Sequence, residues 1–208
     1  MSLQQLPTGV LLAGGRARRM GGGDKCLLPL KDKTLLTRSI DRAQPQVNDL
    51  VLSANGNALR FARTKLTVVA DQYQDFPGPM AGIHAALNWA QQNRPENPWV
   101  ASFACDTPFF PRAMVEQLSA ALQDDAQIAV AVSNGRMQPV FALWHNSLLP
   151  AISATLDGTD IPWLQHWIAE HPHVTVEFDN TPFDCFTNIN TPQDLYAAEE
   201  LVAQHGDL

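Results

Sequence analysis

The sequence predicts an α/β fold with a mostly parallel central sheet, and two observations carry that expectation. Short apolar runs of strand length alternate with helix-period segments through the first two thirds of the chain, the pattern left by βαβ units. The first apolar run, Gly9 to Ala13, passes directly into a loop with five glycines, three arginines and a lysine between Gly14 and Lys25. Open α/β sheets gather their ligands just past the ends of strands, so the loop stands where a site is expected. The chain has 208 residues, 45% of them hydrophobic. That suffices for a core and reads as one domain over residues 1–208. No repeat, low-complexity segment or linker divides it.

In order, Leu35 to Ala43 reads as a helix stopped near Pro45, with short strands at Leu50–Ala54 and Leu66–Ala70. Met80 to Gln92 places Met80, Ile83, Leu87 and Ala90 at helical spacing. Trp99 to Ala104 is the central-strand candidate. Arg112 to Leu122 reads as a helix behind Pro111, a residue suited to the first helical position. Ile128–Val132 and Val140–Leu143 are two further strands, Ser147–Leu156 and Trp163–Glu170 two helices, and Val174–Phe178 a late strand. Pro192 to Gln204 closes the series as a helix with Thr191 as its N-cap.

Composition narrows the function. Net charge is −7, yet eight of the fourteen Lys and Arg lie between Arg16 and Arg42. From Ala113 onward there are thirteen acids and one basic residue, Arg136. Positive charge gathered at one end suits a compact anion better than a nucleic acid, which needs a broader basic face. Cys26, Cys105 and Cys185 form no CxxC or zinc spacing. The start of the chain lacks a signal-peptide pattern. No apolar run approaches the ~20 residues of a membrane helix. A soluble cytoplasmic protein with no membrane or nucleic-acid partner is expected.

Three loops that follow strands carry the candidate chemistry. Gly14 to Lys25 offers backbone N–H groups and cations, the make-up of a polyphosphate nest, although a solvated surface loop is the plainer alternative. It is neither Walker A nor GxGxxG: Asp24 precedes Lys25, Cys26 follows it, and Gly14 and Gly15 are adjacent. The second loop holds Asp71 and then the Pro/Gly stretch that enters the helix at Met80. Asp71 there is a nucleoside acceptor or a solvated turn residue. The third is Cys105-Asp106-Thr107-Pro108. An aspartate ending a central strand needs a facing positive charge. Mg²⁺ bridging phosphate oxygens would supply it, whereas the structural alternative makes Asp106 or Thr107 a helix N-cap. Gln138-Pro139 and Asn188-Ile189-Asn190 are secondary candidates, the asparagines being either ligands or turn residues. The histidines are scattered, with His171 and His173 read as surface. Trp144, Trp163 and Trp167 suit core or substrate cleft equally.

Thr8–Lys25 (TGVLLAGGRARRMGGGDK), Pro77–Gly82 (PGPMAG), Cys105–Pro108 (CDTP) and Asn188–Leu195 (NINTPQDL) together resemble the molybdenum cofactor guanylyltransferases. The resemblance implies a three-layer, Rossmann-like nucleotidyltransferase fold of the glycosyltransferase-A type. It also implies that molybdopterin phosphate attacks the α-phosphorus of GTP, releasing pyrophosphate and forming the guanine dinucleotide cofactor. Leu12, Ala13, Gly14 and Gly15 would then line the guanine and phosphates, and Arg19 and Lys25 would hold the triphosphate. Asp71 would contact the nucleoside and Asp106 would bind Mg²⁺. Asn188 and Asn190 would face molybdopterin, one of them completing the metal shell. Cofactor-insertion chaperones and molybdoenzymes would be the downstream partners. The chain departs from the resemblance at Ser53, where an asparagine is usual and Asn55 is the available substitute. It departs again at Asp32-Lys33-Thr34-Leu35, which lacks the usual Gly and Pro.

Two rivals remain at this point. A cytidylyltransferase acting on the same pterin would look like LAAG where this chain has LAGG, so Gly15 favours guanine. A non-catalytic GTP-binding pterin carrier would keep the binding residues without needing Asp106 for turnover.

Overall fold

The computed structural model describes residues 3, 5–14, 23–73 and 78–206. In chain order the elements are β1 (Thr8–Leu12), β2 (Pro29–Leu30), β3 (Lys33–Thr34), α1 (Leu35–Ala43), β4 (Asp49–Ser53), β5 (Thr67–Val69), α2 (Pro79–Asn93) and β6 (Trp99–Ala104). They continue with α3 (Met114–Ala120), β7 (Ile128–Ser133), β8 (Arg136–His145), α4 (Leu149–Leu156), α5 (Leu164–Ala169), β9 (His173–Glu177) and α6 (Pro192–His205). Seven strands form one sheet in the order β5-β4-β1-β6-β8-β7-β9. Neighbours are parallel except at β8, which runs antiparallel to both β6 and β7.

Side-chain alternation with a period of two sorts the apolar residues onto the two faces of this sheet. Leu11, Leu52 and Phe103 join Leu36 of α1 and Met114 and Leu118 of α3 on one face. Val10, Val51 and Val100 join Ile83 and Leu87 of α2, Ile152 of α4 and Trp167 of α5 on the other. The result is helix, sheet, helix: the expected three layers. A smaller apolar group, including Leu30, Leu35, Phe109, Ile189 and Ala198, fastens α6 to the β2–β3 hairpin and to the loop after β6.

The chain leaves β1 toward β4 on one side and reaches β6 on the other, so β1 marks the point where strand order reverses. Crevices outside the carboxyl ends of parallel strands at such a point are where open sheets bind ligands. Sheet-like bonding continues past the strands here. Ala13 donates to Ser53 O at 3.0 Å, Ala54 to Val69 O at 3.1 Å and Cys105 to Leu12 O at 3.3 Å. The starts of the functional loops are therefore pinned to the sheet.

Several expected boundaries move. The helix after Pro111 starts at Met114 with Ala113 as N-cap, because Pro111 and its successors form a preceding turn in which Met114 N donates to Pro111 O at 3.3 Å. The strand expected at Val140–Leu143 runs from Arg136 to His145. Gln138 and Pro139 thus lie inside it rather than before it. The β7 pairing shifts between Val130 and Ala131, opposite the stretch holding Pro139. Such an irregularity lets a residue without an N–H sit in a strand. In the turn between β2 and β3 the residue at positive φ is Lys31, at 57°, one position before the Asp32 that stands where a glycine is usual. The sequence reading also missed the β2–β3 hairpin and the 3₁₀ turn at Ala58–Thr64.

Candidate active site

A cleft of about 860 Å³ opens at the strand ends, lined by Leu12, Ala13 and Gly14 at the end of β1, Ser53 to Gly56 at the end of β4, Asp71 after β5 and Asp106 after β6. The first turn of α2 forms one wall through Pro79 and Gly82. A Cβ on Gly82 would stand 2.7 Å from both Leu12 Cδ2 and Ser53 Oγ. Glycine is what lets the helix come this close to β1 and β4. Of the residues expected to line this floor, Leu12, Ala13 and Gly14 do so. Gly15 and Arg19, like Arg16, Arg18 and the segment Asp75–Pro77, lie outside the described residues.

At one end of the cleft three distant segments converge on Lys25. Its Nζ donates to Asp106 Oδ2 at 2.6 Å and to Asn190 Oδ1 at 2.5 Å, and the residue is 7% exposed. The positive charge that Asp106 required is therefore Lys25 itself. Neither Asp106 nor Thr107 caps a helix, since α3 begins beyond them. Thr107 is fully buried and donates to Asn188 Oδ1, while Ile189 N donates to Asp106 O at 2.8 Å. Asn188 and Asn190 are thus more than turn residues: they join the 188–191 loop to the Asp106 loop and to Lys25. Asp194 shapes that loop in turn, accepting from the backbone N–H groups of Asn190 and Thr191, both at 2.8 Å. The Asn190 N–H holds the Asp194 carboxyl below the usual range, with Thr191 and the Lys25 charge acting in the same direction.

At the other end, Asn55 Nδ2 donates to Asp71 Oδ2 at 2.7 Å, and Asp71 N donates to Asn55 Oδ1 at 3.1 Å. Asp71 Oδ1 is buried and has no hydrogen-bond partner among the described residues. An orphaned buried acceptor costs about 1–3 kcal/mol, which a donor on a bound molecule would recover. Between Ser53 and Asn55, it is Asn55 whose side chain pairs with Asp71. Ser53 is 6% exposed and packs under Gly82.

Sequence reasoning missed Arg60. Its Nε lies 2.8 Å from Asp24 Oδ2, its Nη2 donates to Asn55 O, and its guanidinium sits 4.7 Å over the Phe61 ring. Both Arg60 and Asp24 line the cleft, so this ion pair ties the glycine-rich loop to the segment after β4. The cysteines flanking the site, Cys26 and Cys105, are buried. Burial, with Asp24 nearby, pushes the Cys26 thiol up to about 12, and burial drives Cys105 higher than its ordinary value as well. His84 is buried on α2, with Nε2 2.8 Å from Ser153 Oγ and its ring edge-on to Tyr73 at 5.3 Å. Burial lowers its pKa. It braces α2 against α4 and leaves the cleft to other groups. His171 and His173 are half-buried, not simply surface: His171 stacks on Trp167 at 3.8 Å.

A family model described as a MobA-like NTP transferase domain matches residues 9–174. The molybdenum cofactor guanylyltransferase of Nitrobacter hamburgensis is 46% identical over 99% of this chain and 100% of its own length. The protein of that name from Rhodopseudomonas palustris is 45% identical over 92% of each chain. Among solved structures, molybdopterin-guanine dinucleotide biosynthesis protein A from Archaeoglobus fulgidus superposes with a TM-score of 0.76 at 22% identity. That overlap covers 95% of this chain and 99% of that one, a likeness of fold.

Proposed function

Since this chain belongs to the MobA-like NTP transferase family, among its molybdenum cofactor guanylyltransferases, we propose that its cleft binds GTP and transfers GMP to the phosphate of molybdopterin. An oxygen of that phosphate forms a bond to the α-phosphorus as the bond to the β-phosphate oxygen breaks. The electron pair leaves with pyrophosphate, and the guanine dinucleotide cofactor is the other product. The attacking phosphate is already anionic, so the site needs no strong general base. Positioning and cation stabilisation carry the reaction.

The observation that carries this reading is the convergence of Lys25, Asp106 and Asn190 within hydrogen-bond reach at one end of a nucleotide-sized cleft. Lys25, joined by Arg19, would hold the triphosphate and offset charge on the departing pyrophosphate. Leu12 to Gly14, continued by Gly15, would form the floor under base and phosphates. Asp71, with its orphaned oxygen and its Asn55 partner, would accept hydrogen bonds from the nucleoside. Guanine suits it, because its N1–H and N2 amino donors lie side by side. Asn188 and Asn190 would face the acceptor.

Mg²⁺ fits this donor set. Asp106 has 30% of its side chain exposed, and its Oδ1 makes a 3.5 Å contact with the Thr107 hydroxyl. Mg²⁺ is commonly held by one or two carboxylates plus substrate phosphates and water. Among the described residues no cluster of three or more His, Cys, Asp or Glu could hold an ion by protein groups alone. Asp106 would be one protein ligand, with Asn188 or Asn190 completing the shell, and the bound ion would neutralise phosphate charge. The same reading makes residues 1–208 a single catalytic domain working in the cytoplasm. Insertion chaperones and molybdoenzymes would receive its product. Among the described residues no helix is long and apolar enough to cross a membrane.

The test is pyrophosphate release by the full chain with molybdopterin and either GTP or CTP. GTP is expected to be strongly preferred. Preferential CTP turnover would replace this reading with the cytidylyl one, and GTP binding without turnover would leave a carrier.

A further inference from the structure

The three tryptophans that suited core or cleft equally in the sequence part company in the fold. Trp144 and Trp167 are 0% and 3% exposed within the core, whereas Trp163 is 79% exposed. Trp163 borders a second cavity of about 470 Å³, with Pro139, Ile161, Pro162 and Gln165 around it. Gly78 and Pro79 line both this cavity and the nucleotide cleft. The two hollows therefore border each other at the start of α2.

We propose that this second cavity is the subsite for the fused-ring end of the acceptor, with the Trp163 indole as its stacking platform. The inference rests on the guanylyl-transfer reading and adds to it the location and chemistry of acceptor recognition. The volume falls within the range of small-molecule pockets. Its walls are mostly apolar side chains with the Gln165 amide among them, which suits the face of a ring system whose polar edge meets Gln165 and water. Gly78 and Pro79 border both hollows, so a molecule seated against Trp163 would lie beside the nucleotide cleft. The platform is also held rigidly. Trp163 O accepts from the N–H groups of His166 and Trp167 at 2.8 and 3.1 Å, and Leu164, Trp167 and Ile168 behind it are buried. An exposed indole on a fixed backbone loses little freedom when a ring stacks on it.

The experiment measures steady-state kinetics of the full-length Trp163→Ala and Trp163→Phe proteins with GTP and molybdopterin. Stacking losses on alanine substitution predict a rise of about tenfold or more in KM for molybdopterin. KM for GTP and the thermal midpoint should stay at wild-type values, and Trp163→Phe should recover most of the loss. Unchanged molybdopterin KM in Trp163→Ala, beside an active wild type, would overturn the subsite and leave the guanylyl reading standing. Trp163→Phe behaving like Trp163→Ala would overturn the stacking role. A wild type that releases no pyrophosphate from GTP and molybdopterin would overturn both.

Discussion

Lys25 is only 7% exposed, and two acceptors meet its Nζ, Asp106 at 2.6 Å and Asn190 at 2.5 Å. The partners differ in burial, with 8% of the Lys25 side chain exposed against 30% of Asp106. Removing one member of a pair strands the other, and the more buried charge suffers more. Asp106→Ala should therefore destabilise the fold more than Lys25→Ala, each by about 1–3 kcal/mol. The double variant should lose less than the sum, as urea titrations arranged in a double-mutant cycle would reveal. In assays, Asp106→Ala should abolish turnover while weakening GTP binding much less; equal loss of both would mean that Asp106 only holds the nucleotide. Each of these residues was visible in the sequence through its own motif, but their contact was not. They stand 81 positions apart, and nothing local in either motif names the other, so Mg²⁺ was expected as the countercharge. Arg60 was invisible for a different reason. It belongs to a 3₁₀ turn without periodicity, and its role depends on Asp24 in a loop on the other side of the cleft.

Among the elements, α6 shows how a cap can serve a site. Thr191 accepts from Asp194 N at 3.2 Å while the Asp194 carboxylate accepts from Thr191 N, a reciprocal capping box. The same carboxylate accepts from Asn190 N, so the bonds that start the helix also set the residue that grips Lys25. Thr191→Ala should cost about 1 kcal/mol of stability. Asp194→Ala should in addition lower turnover by loosening Asn190. The pH dependence follows in sign. The folded pKa of Asp194 is depressed, so its contribution is complete above its unfolded value, about 3.9, and fades as pH falls through the lower folded value. The stability gap between wild type and Asp194→Ala should be flat from neutrality to about pH 4.5 and shrink below that; a gap that widens in acid would contradict the bond. This helix was legible because Thr191, Pro192 and Asp194 are local signals. Strand β8 was only half legible, because Pro139 interrupts the pattern and only the partner strand's shift shows how the sheet absorbs it.

For the whole molecule, the sheet order sets the cleft, and the alternating strands and helices made that much readable in advance. Which loops would touch depended on crossovers that no short stretch encodes. A ligand seated where five segments meet should stabilise all of them together. GTP with Mg²⁺ at about 100 times its dissociation constant is expected to add ~2.7 kcal/mol, or about 5–10 °C in thermal midpoint for a chain of this size. CTP at the same concentration should add much less, and calorimetry would show it; equal shifts would argue against guanine recognition. The link between Lys25 and Asn190 spans 165 positions, and this has a consequence for how the protein is made. On the ribosome, the contact between Lys25 and Asn190 can form only once the chain has been made through residue 190. The corner of the cleft formed by Lys25, Asp106 and Asn190 therefore cannot be complete until the strands of the central sheet have all been synthesised.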